Sequence, residues 1–347
     1  MCNFAECKPR GMTDEVGPSN PRQIAEVRPS PGKPSNSGRP REPTLVILAH
    51  ADPGHLRRLI DVCSTQPVIL HCDSKTPEIL FRQMIADLPE RVIIAPRSDT
   101  RLASWSLVRA ELQCIKIALD KTQGDHIVVM SGSDYPLVAP SAIGPHIAGL
   151  GDRSWFWNVD LPFSPWSVLG FPDGGLWRLR HRFMSRRGQQ LWLGKKPLFN
   201  PIRRRIHPDL QPRASSQWKI LSRSDAQSLI SVLYARPDLV AFGSSTFTPD
   251  ESFVASVLGS HSLWGPNALQ QCFHSPWLTN WHGSISQHPK WFTEADIPRI
   301  RRHLLAMAEA SNPDIMHLPN NGMPLFGRKF TSRFDPHLLD SLEKAFW

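Results

Sequence analysis

The chain has 347 residues, 40% of them hydrophobic, enough to bury a full core as one large domain or two small ones. Its formal net charge of +9 favours an anionic partner such as a nucleotide diphosphate, an acidic glycan, a membrane surface or a nucleic acid. No apolar run reaches spanning length and the opening MCNFAECKPR lacks the apolar core of a signal peptide, so a cytoplasmic protein is expected, peripheral on the inner membrane face at most.

Residues 1–43 are rich in Pro, Ser and Gly and poor in large apolar side chains, the composition of a disordered tail. From Thr44 the pattern changes. Short β-rich runs are predicted at Leu45–Leu48, Val68–Leu70, Val92–Ala95 and Ile127–Met130. Helices are predicted between them near His55–Cys63, Pro77–Ala86 and Ser106–Lys121. In the last, Val108, Leu112, Ile115 and Leu119 share one face at helical spacing. Strands alternating with helices predict an α/β fold with a parallel sheet, whose ligands bind beyond the carboxyl ends of the strands. His50 and Asp52 follow the first run, His71, Asp73 and Lys75 the second, and Ser131, Ser133 and Asp134 the fourth. One such residue is usually a turn; three clusters after three strands favour a nucleotide pocket.

The second half is less regular. Residues 151–215 mix Trp, Pro, Gly and Arg and read as long loops with short elements. Ser215–Leu233 reads as a strand then a helix, Pro249–Leu258 as a helix, and the stretch from Pro324 as a basic loop and a last helix ending at Trp347. Thr248 is a plausible N-cap, with Pro249 in the first turn and Asp250 and Glu251 beside it. Acidic residues there complement a helix dipole in any protein, so alone they do not mark a catalytic site. LFGRKF (Leu325–Phe330) sets Arg328 and Lys329 in an apolar frame; they require an anion, either a diphosphate or a structural carboxylate. The segment Arg178–Arg205 carries many cations with Trp177, Phe183 and Trp192 interleaved. It reads as an acceptor site or solvated surface ahead of a nucleic-acid interface, since no nucleic-acid motif accompanies it. Six cysteines (Cys2, Cys7, Cys63, Cys72, Cys114, Cys272) without CxxC spacing read as reduced thiols. Twelve tryptophans against two tyrosines fit sugar stacking, though core packing explains most tryptophans.

In order, LVILAHADPGHLRRLI, VILHCDSKT, ASWSLVRAELQCIKIAL, HIVVMSGSDYPL, SSQWKILSR, TPDESFVASVL, NWHGSISQHPKWFTEADI and LFGRKF together resemble the core-2/I-branching glycosyltransferases over roughly residues 44–335. That family includes β-1,6-N-acetylglucosaminyltransferases and peptide O-xylosyltransferases. The resemblance implies a GT-A-like single catalytic domain, with a Rossmann-like nucleotide-binding half at 44–150 and a mixed, loop-rich acceptor half at 151–347. It implies an inverting, metal-independent transfer from a UDP-sugar to a glycan or polysaccharide hydroxyl. Glu251 falls on the general base, and Lys329 with Arg328 on the cations that hold the diphosphate. His50, His71, Asp73, Trp105 and Asp134 fall to the donor side, and Arg178, Arg180, Arg182 and Trp281 to the acceptor side. No Asp-x-Asp pair follows the strands, so no metal cofactor is expected. A second basic diphosphate contact of the family has no counterpart here, and Gln217 stands where some xylosyltransferases carry an acid. The rival reading is a non-enzymatic polyanion- or nucleic-acid-binding protein working through residues 178–205.

Overall fold

The computed structural model describes residues 40–168, 170–281, 288–309, 318, 322–335 and 337–347. The predicted tail therefore lies mostly outside the described residues. Its last residues touch the body: Arg41 N–H donates to Asp125 Oδ2 at 3.0 Å, and Glu42 accepts from the Gln66 amide.

A five-stranded sheet forms the centre. Strand β1 (Thr44–Ala49) lies between β2 (Val68–Cys72) and β4 (His126–Ser131), parallel to both, and β3 (Val92–Ile94) extends the sheet parallel to β2. The far edge is antiparallel, with β8 (Lys219–Ser222) beside β4. Alternate residues of β1 feed opposite cores: Leu45, Ile47 and Ala49 face one, Val46 and Leu48 the other. Both faces are covered, so the strands read as continuous apolar runs, as buried parallel strands do.

Helix α1 (Pro53–Val62) packs on the first face. Helices α3 (Trp105–Lys121) and α6 (Arg223–Ala235) pack on the second, and α2 (Glu78–Ile85) connects β2 to β3. A smaller three-stranded sheet sits alongside. Its middle strand β10 (Phe326–Arg328) pairs antiparallel with β5 (Asp134–Pro136) and parallel with β9 (Trp277–Thr279). This pairing brings the C-terminal RK pair back to the end of β4. The chain closes with α9 (Ile297–Glu309) and α10 (Leu338–Phe346).

One difference from the sequence reading stands out. Pro249–Leu258 is not one helix: Pro249–Glu251 forms a 3-10 turn, and α8 starts at Phe253 and ends at Leu258. Thr248 holds φ 46°, and its hydroxyl accepts from Arg178 and bonds to Phe247 O instead of capping the turn. The loop-rich stretch contains helix α5 (Trp177–Arg180), then two-residue strand segments between Arg182 and Asn200, then β7 (Arg213–Ser215) paired with β6 (Asn158–Asp160).

Candidate functional site

The carboxyl ends of β1, β2 and β4 open on one side, as the parallel sheet requires. Asp134 is fully buried there and accepts three hydrogen bonds. Oδ2 takes Ser131 N–H and Trp277 Nε1, each at 2.9 Å, and Oδ1 takes Arg328 Nη1 at 2.9 Å. Burial pushes the Asp134 carboxyl up, with Arg328 opposing. Arg328 also lies over the Trp218 ring, 4.2 Å from its centroid. The next residue, Lys329, has its ammonium 4.3 Å from the centroid of the Trp291 ring, and no carboxylate among the described residues pairs with it. Burial first, then Arg328, lowers its pKa. Two adjacent cations thus meet at the mouth of the sheet, one neutralised from within and the other set over a ring.

The remaining donor-side residues play several parts. His50 is exposed at the end of β1, within electrostatic reach of Asp73, Arg328, Lys75 and Arg333; burial and the three cations hold its pKa down against Asp73. Asp73 is spent on architecture. Oδ1 accepts Lys75 N–H at 2.8 Å, Oδ2 accepts the Thr100 hydroxyl, and Lys75 Nζ lies 3.6 Å from Oδ2. His71 is buried, and its Nε2 meets Ser98 Oγ at 2.9 Å and accepts from Ser98 N–H at 3.2 Å. Both residues therefore fasten the loop at 98–100. Asp52 does the same for the opposite loop: its carboxylate accepts from Thr331, from Ser332 and from His55 N–H at the start of α1. Trp105 opens α3 but is buried edge-on against Phe253, at 4.8 Å, so it supports α8 from behind the Glu251 turn.

Glu251 ends the 3-10 turn with its side chain 41% exposed. Arg178 Nη1 donates to Glu251 Oε2 at 2.7 Å and to Thr248 Oγ1 at 2.7 Å. Arg178 is itself stacked over Trp166, 3.9 Å from the ring centroid. Its charge and this one Nη1 fix the Oε2 oxygen of the carboxylate. His288 connects the two clusters: its pKa is lowered by burial, Lys329 and Arg328, with Glu251 opposing. His288 thus lies within electrostatic reach of the carboxylate and of both cations.

Of the other acceptor-side residues, Arg180 lies 3.9 Å from Asp173, Arg182 is exposed, and Trp281 follows β9 with half its surface open. Part of the segment between Trp281 and Trp291 lies outside the described residues.

Sequence reasoning missed what lies beneath Glu251. Asp250 is buried and its Oδ1 has no hydrogen-bond partner; burial first, then Glu251, pushes its pKa up to about 7. Below it, Lys219 of β8 and Glu111 of α3 form a fully buried ion pair at 2.6 Å. Glu111 stands on the apolar face of α3, a signal that was available, but its partner is 108 residues away in sequence.

Among the described residues no three metal-binding side chains cluster, and no helix is long and apolar enough to cross a membrane. The four described cysteines are free thiols. A family model described as "Branch: Core-2/I-Branching enzyme" matches residues 67–303. No curated protein matches the chain. Among solved structures, HddC from Yersinia pseudotuberculosis is similar at 11% identity over 53% of this chain and 79% of that one, with a TM-score of 0.26.

Proposed function

Because the chain belongs to the core-2/I-branching enzyme family, and so is a glycosyltransferase, we propose that it moves N-acetylglucosamine or xylose from a UDP-sugar to an acceptor hydroxyl, with inversion. The acceptor oxygen attacks C1 of the donor sugar while its proton passes to Glu251 Oε1. The bond from C1 to the β-phosphate oxygen breaks, and its electron pair leaves with UDP. A placed carboxylate of this kind contributes on the order of 10²–10⁴-fold. Arg178 holds Oε2, so the other oxygen keeps its direction.

The departing diphosphate gathers negative charge, and fixed cations stabilise it without reorganising. Lys329 and Arg328 take that role, which makes the transfer independent of a divalent cation. His50, with the loops organised by His71, Asp73 and Asp134, frames the nucleotide. Trp281, Arg180 and Arg182 lie to the acceptor side. The single observation that carries this reading is the adjacent pair of cations at the end of β4, Arg328 tied to Asp134 and Lys329 set over Trp291 with no carboxylate partner among the described residues.

UDP release from UDP-N-acetylglucosamine and from UDP-xylose, measured with excess EDTA, tests the reading. Slow release without acceptor is expected and should survive the chelator. Loss of release in EDTA with rescue by Mn²⁺ contradicts the cation-only clamp, and no release from either donor with any added cation contradicts the donor assignment.

A further inference from the structure

Between Gly174 and Pro208 the chain has no Asp or Glu, although arginines crowd both ends of that stretch. The fold gathers four of them. Arg180, Arg203, Arg204 and Arg205, with Ile206, line an open cavity of about 440 Å³. The backbone sets this arrangement: Arg204 N–H donates to Arg180 O at 2.6 Å, which ties the 203–205 strip to the end of α5.

Arg204 is the inner member. Its Nε donates to Leu179 O at 2.8 Å, Nη1 to Ser245 Oγ at 2.6 Å and Nη2 to Phe242 O at 3.3 Å, with the guanidinium 3.9 Å over the Phe242 ring. Every one of these partners is neutral. Burial, with Arg182 adding repulsion, brings its pKa down to about 10. Arg180 reaches one carboxylate, Asp173, only at 3.9 Å. Arg203, Arg204 and Arg205 have no carboxylate partner among the described residues.

Two part-buried arginines elsewhere, Arg91 and Arg223, also rest on backbone carbonyls, but singly and not gathered around a cavity; others are answered by a carboxylate. Arg178 pairs with Glu251, Arg213 with Asp160, Arg236 with Asp209 and Arg328 with Asp134. Like charges held around a shared cavity repel, and a half-buried cation without a counter-ion is unfavourable. Arginine forks arranged this way suit a planar or tetrahedral oxyanion. The counter-ion missing from the protein is supplied from outside.

We infer that this cavity binds an anionic substituent of the acceptor glycan: a phosphate, sulfate or carboxylate. The inference rests on the glycosyltransferase reading for its acceptor, and on the cavity alone for its anion. Arg178 and Arg180 stand two residues apart on α5, a spacing that sends side chains to different sides of a helical turn. The anion therefore sits on another side of α5 from Arg178, which holds Glu251.

Thermal unfolding of the full chain tests this, with glucose 6-phosphate as the probe and saturating UDP present to occupy the donor side. A saturable rise in Tm is expected, because a ligand that binds only the folded state stabilises it. In the Arg203→Ala/Arg205→Ala variant the probe should need about tenfold higher concentration, while the rise caused by UDP persists and reports a folded donor site. A response that never saturates, or one equal in the wild type and the variant, overturns the inference. Sedimentation with phosphatidylglycerol vesicles, combined with no response to glucose 6-phosphate, also overturns it and assigns the cations to a lipid surface. Failure of UDP alone to raise Tm points instead at the donor reading, and the probe titration without UDP still reads the cavity.

Discussion

The sheet-end region and the arginine-rich region handle charge in opposite ways. At the ends of β1, β2 and β4, nearly every charge is answered within the protein: Asp134 by Arg328, Asp73 by Thr100 and Lys75, Asp52 by Thr331 and Ser332. Around α5 and the strip at 203–205 the cations outnumber any carboxylate that could answer them. The first arrangement builds a rigid frame, within which Lys329 pairs with no carboxylate among the described residues. The second holds several like charges together, which costs stability. The contrast separates the residues that shape this site from those that await a ligand.

The largest effect should come from breaking the internally balanced side. Lys219→Met leaves Glu111 buried without its partner, which typically costs 3–5 kcal/mol, or on the order of 10 °C in Tm. Replacing both by Glu111→Leu/Lys219→Met should recover much of the loss. A near-neutral single variant in urea unfolding would break the comparison. Next, Lys329→Ala should weaken UDP binding by about 1.5–3 kcal/mol, the range for a charge-assisted hydrogen bond, and leave uridine binding nearly unchanged, as calorimetry would read. Equal losses for the two ligands would make Lys329 structural.

Asp250 gives a smaller, pH-dependent effect. Its folded pKa of about 7 stands above the ordinary 3.8, so between those values the folded protein binds a proton that the unfolded chain has lost. Stability is then fullest below pH ~4 and falls as pH rises through about 7. Asp250→Asn removes this dependence, so its Tm should exceed that of the wild type at pH 8 and approach it at pH 5. A wild-type-like slope of Tm against pH in the variant would place Asp250 in a more solvated setting. The smallest effect belongs to the unbalanced side. Arg205→Ala, an exposed position with no carboxylate partner among the described residues, should leave Tm within about 1 °C of the wild type, as exposed substitutions usually do. A substantial fall would reveal a partner for Arg205 inside the protein.

How much of this was legible depended on the physics at each place. Strands β1, β2 and β4 are buried on both faces, so their apolar runs stood out, and α3 announced itself through its helical stripe. The belt from Arg182 to Asn200 is built from two-residue strand segments, too short for any period to show. The helix break after Glu251 comes at Ser252, which holds φ −145° and ψ −38°, a departure that the apolar pattern of 253–258 does not announce. In the site, Glu251, Arg328 and Lys329 were reached through resemblance and ordered motifs, and all three lie within electrostatic reach of His288. His71 and Trp105 were legible as positions but not as roles, since both are buried and act through the loop or helix they support. Arg178 was expected to touch the acceptor, and its grip on Glu251 could not be read from the sequence. The Glu111–Lys219 pair was hidden by its long separation along the chain.

The most direct test of the whole account is the Glu251→Gln protein. Gln keeps the size and one hydrogen-bonding oxygen of Glu but cannot take the acceptor proton. Three quantities should be measured on it: the rate of UDP release from the preferred donor, UDP affinity and Tm. The account predicts a rate lower by roughly two to four orders of magnitude, with UDP affinity unchanged and at most a small change in Tm. Near-wild-type turnover in a folded, UDP-binding protein would contradict it.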